Sequence, residues 1–373
     1  MKPIIAVPAI LALVYRAWSR KSLTPLGIVV AAATAVVHTI HPWSIFFALL
    51  TVFFLGGTTV TKVKHDVKAR LTNSSSGSPG GEGPRTHVQV LANSLPASIL
   101  ILLHWRQLSL RDQGSEASSS CWSWRGDILV AGIIANYAAV AADTFSSELG
   151  ILSKTPPRLI TSITLRKVPP GTNGGVTVFG LLAGLLGAFS IAFTTVFLLP
   201  FCYSGHPGFQ GGNSWTVKEK VALTIAVTIW GGLGSVLDSL LGGWLQASVI
   251  DVRSGKIIEG DGGKRVLVSG PGSMHTKQLA EVQQETLTGS VLDGTKPAAS
   301  RQNARTPGTK ASKTSTIVET EIISEKPPSR KVETGHDILD NNGVNLLMAT
   351  VMSVGGILAA SWYWDVPLET IIQ

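Results

Sequence analysis

The run Ala142-Asp143-Thr144-Phe145-Ser146-Ser147-Glu148-Leu149-Gly150 closes an apolar segment, 127–146, that is long enough to cross a bilayer. It places two carboxylates and three hydroxyls at the end of that segment. Ionisable groups at a bilayer boundary are costly and are read by default as functional. Beyond the following loop comes Val168-Pro169-Pro170-Gly171-Thr172-Asn173-Gly174-Gly175, and another apolar segment begins there. A Gly-rich turn leading into a helix is a common way to hold an anion. Together the two stretches point to a membrane enzyme that handles a phosphate.

The rest of the chain repeats the pattern. Of 373 residues, 45% are hydrophobic and 14% charged, where a soluble protein would carry about a quarter charged. Apolar blocks lie at 3–18, 23–41, 43–60, 87–104, 127–146, 176–200, 217–247 and 343–363. The reading is all-α, a polytopic transmembrane helical bundle of seven to eight spans. Its core occupies 1–250, and the last span lies with the C-terminus in 336–373. The first block is short enough to compete with a signal peptide, but Pro3 and Pro8 interrupt it and no small-x-small cleavage site closes it. It is therefore read as a span. The seventh is longer than a bilayer needs and carries Gly231-Gly232, Gly234 and Gly242-Gly243, so a tilted or broken helix is expected.

Basic residues fall on alternate loops. Arg16, Arg20 and Lys21 follow span one, and Lys62, Lys64, Lys68 and Arg70 follow span three. Lys154, Arg158, Arg166 and Lys167 follow span five, and the long 250–342 segment follows span seven. The positive-inside bias places these loops in the cytosol and accounts for the net charge of +8 without nucleic acid. Residues 72–86 read as a flexible Ser/Gly/Pro loop, with the sequon Asn73-Ser74-Ser75 left unmodified on this side. Residues 254–335 are too polar to offset their ordering entropy and read as a disordered cytosolic loop. Within it, Thr306 to Ser324 reads first as solvated linker and second as a regulatory phosphorylation stretch. Cys121 and Cys202 both fall on the opposite side, where a disulfide can persist, and spacing leaves pairing and two thiols equally open. His38 and His41 share a helical turn without a third ligand and read as interfacial, and no P-loop motif occurs.

On a helix Asn136, Val140, Asp143 and Ser147 share one face, which turns the polar edge of span five toward other spans. Asp143 and Glu148 are five apart, about 140° around a regular helix. A helix ending near Ser146 would let Glu148 swing toward Asp143, and the two are the expected metal ligands. The chemistry suggested is Mg²⁺ held by one or two carboxylates and phosphate oxygens. The competing view pairs Asp143 with a loop cation such as Arg158. Gly171, Thr172, Asn173, Gly174 and Gly175, beside Arg166 and Lys167, form the candidate phosphate site. The two bases serve equally as topology signals. Span seven contributes a third candidate catalytic carboxylate, Asp238, among the small residues Gly231, Ser235 and Ser239. Asp340 is a candidate N-cap of span eight, where Asn341, Asn342 and Asn345 are further polar candidates.

These residues carry a resemblance. Thr61-Lys62-Val63-Lys64, Val67-Lys68-Ala69-Arg70-Leu71, Val88-Gln89-Val90 and Asn93 are similar to the transmembrane protein 19 family, which includes the plastid phytyl-phosphate kinase. So are Ala142-Asp143-Thr144, Ser147-Glu148-Leu149-Gly150, Leu152-Ser153-Lys154, Pro157-Arg158-Leu159-Ile160-Thr161 and Gly171 through Val178. Gly234-Ser235-Val236-Leu237-Asp238-Ser239, Leu339-Asp340-Asn341-Asn342 and Val344-Asn345 complete it. The Asp-Thr-x-x-Ser pattern before a Gly-rich turn also resembles dolichol kinases and phosphatidate cytidylyltransferases. The resemblance implies phosphoryl transfer to a prenyl phosphate or prenyl alcohol at the cytosolic membrane face. Mg²⁺ would be the cofactor, on Asp143 and Glu148, and ATP or CTP the donor, with phosphate at Thr172, Gly174 and Gly175.

The expected partners are the lipid bilayer and a prenyl-lipid substrate, in the endoplasmic reticulum or another endomembrane; the oligomeric state stays open. Two rivals stand beside this reading. One is a transporter that uses Asp143 and Asp238 as an ion or substrate site. The other is a non-catalytic membrane scaffold, in which Asp143→Asn would change nothing.

Overall fold

Every apolar block folds as a helix. A computed structural model describes residues 1–75, 80, 83–114, 121–203, 214–266, 268 and 330–371. The helices are α1 (Pro3–Ser19), α2 (Pro25–Ile40), α3 (Ile45–Lys62), the single turn α4 (His65–Lys68), α5 (His87–Gly114), α6 (Ile128–Gly150), α7 (Val178–Leu198), α8 (Val217–Leu245) and α9 (Asn341–Trp364). Six of them are long and apolar enough to span a membrane, while α1 and α2 are apolar but shorter. Their starts follow local chemistry. Thr24 caps α2 ahead of Pro25, Thr216 and Glu219 form a capping box on α8, and Thr177 caps α7.

α6 is the central helix, with nearly every side chain from Ile128 to Ala142 buried, and α3, α5, α7, α8 and α9 pack around it. Missing side chains allow that closeness. A Cβ at Gly231 of α8 would stand 2.6 Å from the Ala138 carbonyl oxygen. One at Gly187 of α7 would stand 2.6 Å from that of Ala141, and one at Gly356 of α9 would stand 2.6 Å from Ala135 Cβ. Without hydrophobic drive between helices in lipid, such contact and buried polar pairs hold a bundle. Asn136 is one of these: it donates to the Asn93 carbonyl at 3.1 Å and accepts from Ser353 Oγ at 3.2 Å. α8 is one continuous helix despite its glycines, which serve packing, so of the tilted or broken helix expected there the break does not occur.

The two ends of the bundle differ. On one, the α1–α2 turn bridges to Arg85, the end of α3 meets the end of α6, and the α8 end accepts hydrogen bonds from Leu339. The described parts of the basic loops meet on this face. On the other, Cys121 and Cys202 form a disulfide, Trp122 bridges to Phe201, and Trp122, Trp124, Trp215 and Trp364 pack together. A buried polar chain lies there too. His41 contacts His104 at 2.9 Å, His104 contacts Asp127 at 3.2 Å, and Arg111 contacts Asp127 at 2.6 Å. His38, on the buried side of α2, bonds Tyr137.

The basic face also carries β structure that helical periodicity does not announce. β1 (Asn73–Ser74), β4 (Ser248–Asp251), β5 (Lys256–Glu259) and β6 (Arg330–Thr334) form a sheet of order β1-β5-β4-β6, and β2 (Arg158–Leu159) pairs with β3 (Gly175–Val176). Val249, Ile257 and Ile258 bury the inner side of the β4–β5 hairpin. Residues 254–266 and 330–335 are therefore folded, against the expectation of disorder from 254 to 335. The chain divides into one compact unit, Met1–Val266 with Val332–Gln373, and a second, Leu267–Lys331, that lies almost wholly outside the described residues. Thr306 to Ser324 is also outside them.

Candidate active site

The basic ends of the helices surround a polar cleft of about 850 Å³. Its walls include the end of α6, the Gly171–Gly175 turn, the ends of α3 and α8, the start of α9, and the segment from Glu259 to Val266. Three carboxylates singled out by sequence line it, Asp143, Glu148 and Asp238, but they divide into two groups.

Asp143 of α6 and Asp238 of α8 form the floor, their carboxyl groups facing each other across the two helices. Each lies seven residues before its helix ends, a depth of about 10 Å at 1.5 Å per residue. Asn345 of α9 adds a third helix to the group: its amide, turned so that the nitrogen donates, reaches Asp238 Oδ1 at 3.1 Å and the Asn341 carbonyl at 3.3 Å. Two carboxylates this close repel unless a proton or a cation lies between them. Asp340 caps α9 by accepting from Gly343 N–H at 2.8 Å, which fixes the register that presents Asn345.

Glu148 lies on the flank. α6 does not end near Ser146 but runs to Gly150, so Glu148 stays turned away from Asp143 and toward α3 and α4. Lys68 Nζ meets Glu148 Oε2 at 2.5 Å and Thr61 Oγ1 donates to Glu148 Oε1 at 2.7 Å. The same ammonium donates to the carbonyls of Val60 and Thr61 at 3.2 and 2.6 Å, closing the C-terminus of α3. The geometry gives Asp143 the partner Asp238 in place of Glu148. The alternative pairing of Asp143 with Arg158 is not seen either; the Arg158 guanidinium donates to the Leu165 carbonyl.

The Gly171–Gly175 turn lines the cleft, with positive φ at Gly171 (84°) and Gly174 (78°). It sits on the end of α8 so tightly that a Cβ at Gly174 would be 2.8 Å from Gly243 Cα. Three of its backbone N–H groups are already committed: Thr172 to the Pro169 carbonyl, Asn173 to Ser248 Oγ, and Gly175 to the Thr172 carbonyl. Those three groups hold the turn in shape, and the N–H groups of Gly171 and Gly174 are not among them. Arg166 and Lys167, expected beside it, do not line the cleft. Arg166 pairs with Glu333 at 3.2 Å, and Lys167 bridges to Arg158 in the small β2–β3 region. Asn136 is buried in the bundle, Ser147 and Asn341 line the cleft, and Asn342 ties α9 to the Gly262 carbonyl at 3.1 Å.

The cations that do line the cleft are Lys68, Arg85, Lys154, Lys264 and Arg265. Arg85 reaches Thr61 Oγ1 at 3.3 Å, and its guanidinium occupies the space left by Gly57, where a Cβ would stand 3.1 Å from Nη1. Backbone bonds to Ser22 and Thr24 at 3.0 Å anchor it, so the stretch read as a flexible loop ends in a fixed arginine. Lys264 and Arg265 follow Gly260-Asp261-Gly262-Gly263, a second turn with positive φ at Gly262 and Gly263. That Gly-x-Gly-Gly-Lys-Arg run is a signal the sequence contained, hidden in a segment assigned to disorder.

A family model described as an integral membrane protein, DUF92, matches residues 8–353. The chain belongs to the DUF92 integral membrane family. Protein PGR of Arabidopsis thaliana is 38% identical over 242 residues, 63% of this chain and 75% of that protein. An uncharacterized membrane protein of Methanocaldococcus jannaschii is 60% identical over 111 residues, 30% of this chain and 38% of its own. Protein VTE6, chloroplastic, of Arabidopsis thaliana is 30% identical over 152 residues, 41% of this chain and 40% of its own. No solved structure matches. DUF92 membership agrees with the resemblance to the transmembrane protein 19 family, and the matched span takes in the helices that build the cleft.

Proposed function

We propose that this DUF92 protein transfers a phosphoryl group from ATP or CTP to a prenyl phosphate or prenyl alcohol at the basic face of the membrane. The observation that carries the reading is the Asp143–Asp238 pair at the floor of a cleft whose rim holds cations. The donor set suits Mg²⁺, which takes one or two carboxylates and completes its shell with water and substrate phosphate oxygens. Among the described residues no group of three His, Cys, Asp or Glu side chains gathers as a metal site, and this ion needs only two. Bound there, Mg²⁺ would supply charge neutralisation at the transferring phosphoryl group.

The chain's own residues supply position and field. Asn345 orients Asp238, and the Asp340 cap holds Asn345 in register. Arg85 and Lys264 face the cleft as partners for phosphate oxygens, where a pre-set cation costs little reorganisation. Glu148, paired to Lys68, holds α3 against α6 and keeps Arg85 aligned through Thr61.

The test is transfer of label from ATP or CTP to a panel of prenyl alcohols and prenyl phosphates by purified protein with Mg²⁺. Wild type is run beside Asp143→Asn and Asp238→Asn. Product from wild type, lowered at least about 100-fold in both variants, supports the reading. No turnover by folded protein across the panel defeats it and moves the two aspartates to the transport reading, tested next by flux.

A further inference from the structure

A second cavity lies among α1, α2, α3 and α5. Its volume is about 80 Å³, and its walls are mostly apolar, with the hydroxyls of Thr34 and Ser94 among them. Ala17, Ala31, Ala32 and Ala35 leave the trough, and Phe53 and Phe54 close its far side. Arg85, Gln89 and Asn93 line it too, and these same three residues line the polar cleft. The apolar groove and the cleft thus share three lining residues, of which Arg85 carries the charge.

We propose that this groove holds the first isoprene units of the lipid substrate, with the phosphate passing between Arg85 and Gln89 into the cleft. The inference rests on the phosphotransferase reading and names where its acceptor enters. A cavity of 80 Å³, at about 10–15 Å³ for each water-sized group, takes about five to eight carbon-sized groups. That is one to two five-carbon units, too little for the two chains of a phospholipid. The remainder of a longer prenyl chain stays in the bilayer. Moving a chain from lipid into an apolar groove brings no hydrophobic gain, so fit alone selects it. A narrow trough of alanines selects a single chain, and Arg85 in its wall selects a phosphate head.

Ala31→Phe puts a ring into the trough, while Ala33→Phe puts one on the lipid-facing side of the same helix, since Ala33 is exposed and does not line the groove. Full-length wild type and both variants are reconstituted, and binding of geranyl monophosphate is measured together with crosslinking by a diazirine-bearing geranyl monophosphate. Thermal unfolding checks that each variant is folded, and Ala35→Leu, a smaller obstruction, replaces Ala31→Phe if that variant is not. The expected result is crosslinks confined to the groove walls of α1, α2, α3 and α5. Affinity should fall at least about tenfold in Ala31→Phe and change less than about twofold in Ala33→Phe. Crosslinks spread over outward faces, equal effects of the two variants, or labelling by a diazirine phosphatidate but not by the prenyl probe would each overturn the inference. Turnover of prenyl phosphates is scored in the same preparations. Turnover with crosslinks elsewhere defeats the groove alone, and groove crosslinks without turnover defeat the transfer reading alone.

Discussion

Glu148 and Lys68 should behave as a structural pair, and removing either should unfold the protein more readily before it touches the chemistry. Their side chains are only 10% and 7% exposed and meet at 2.5 Å, so solvent screens the pair little. Breaking a buried pair by removing one partner costs about 3–5 kcal/mol, mostly for the charge left behind. The structure ranks the two losses. Lys68→Met strands Glu148 and also uncaps the Val60 and Thr61 carbonyls, whereas Glu148→Gln keeps an acceptor for Thr61 and leaves Lys68 two carbonyls. Lys68→Met should fall near 5 kcal/mol and Glu148→Gln near 3 kcal/mol, both about. At about 2.1 cal/mol/K of unfolding entropy per residue, these costs correspond to Tm losses of about 4–8 °C. The double variant Lys68→Met/Glu148→Leu should cost at least about 2 kcal/mol less than the sum of the singles, because no charge is orphaned. Thermal unfolding of the four proteins in detergent measures the cycle. A Glu148→Gln protein that keeps its Tm within about 2 °C but loses Mg²⁺ dependence of transfer, with Lys68→Met unaffected, would refute this and return Glu148 to the metal.

Three shorter expectations follow from other parts of the molecule. Gly174→Ala forces a Cβ at positive φ against Gly243 Cα at 2.8 Å and the Ser239 carbonyl at 3.0 Å, and should destabilise by about 1–3 kcal/mol. Gly255→Ala, at positive φ but with open space around it, should cost about 1 kcal/mol, and unfolding midpoints separate the two. His41, in the turn between α2 and α3, is pushed down to about 2 by burial and then by the neighbouring His104. The folded state therefore refuses a proton that the unfolded chain accepts near 6.5, so stability is full above that pH. It should fall by about 1.4 kcal/mol per unit below it, about 2 kcal/mol by pH 5, and His41→Gln should flatten the Tm–pH slope. Reduction of the Cys121–Cys202 disulfide, or Cys121→Ser, should cost about 2–4 kcal/mol. It should also shift tryptophan emission to the red, because Trp122 sits beside Cys121 in the tryptophan cluster.

Helix positions were legible because each span is set by one rule, a bilayer's worth of apolar residues, and that rule reads locally. α2 and α9 start and stop within a few residues of the blocks at 23–41 and 343–363. What periodicity could not reach is pairing across distance. Nothing local to Lys68 says that it closes α3 and meets a carboxylate eighty positions on. Topology signals and site residues use the same amino acids: Lys68, Arg85, Arg166 and Lys167 look alike in a basic loop, and only the first two face the cleft. The sheet strands were missed for a related reason. β4 and β5 are four residues each, too short for alternation to stand out beside a long polar tract, and Ile257 packs beside the Gly171 turn, far away in sequence.

The division between the two groups of carboxylates comes from helix geometry. Asp143 and Glu148 are five residues apart in a helix that continues past both, which sets their side chains about 140° apart. One therefore faces α8 and α9, where it meets Asp238 beside Asn345, and the other faces α3 and α4, where it meets Lys68. A break near Ser146 would have brought the neighbouring carboxylates together and left Asp238 without a partner from α6. Extending α6 to Gly150 instead lets one short run serve two purposes. Its first carboxylate meets Asp238 at the floor of the cleft, and its second ties the wall that carries Arg85. A strain placed on the Lys68–Glu148 pair should thus reach the cleft through Thr61 and Arg85, while the Asp143–Asp238 contact on the opposite side of α6 stays in place.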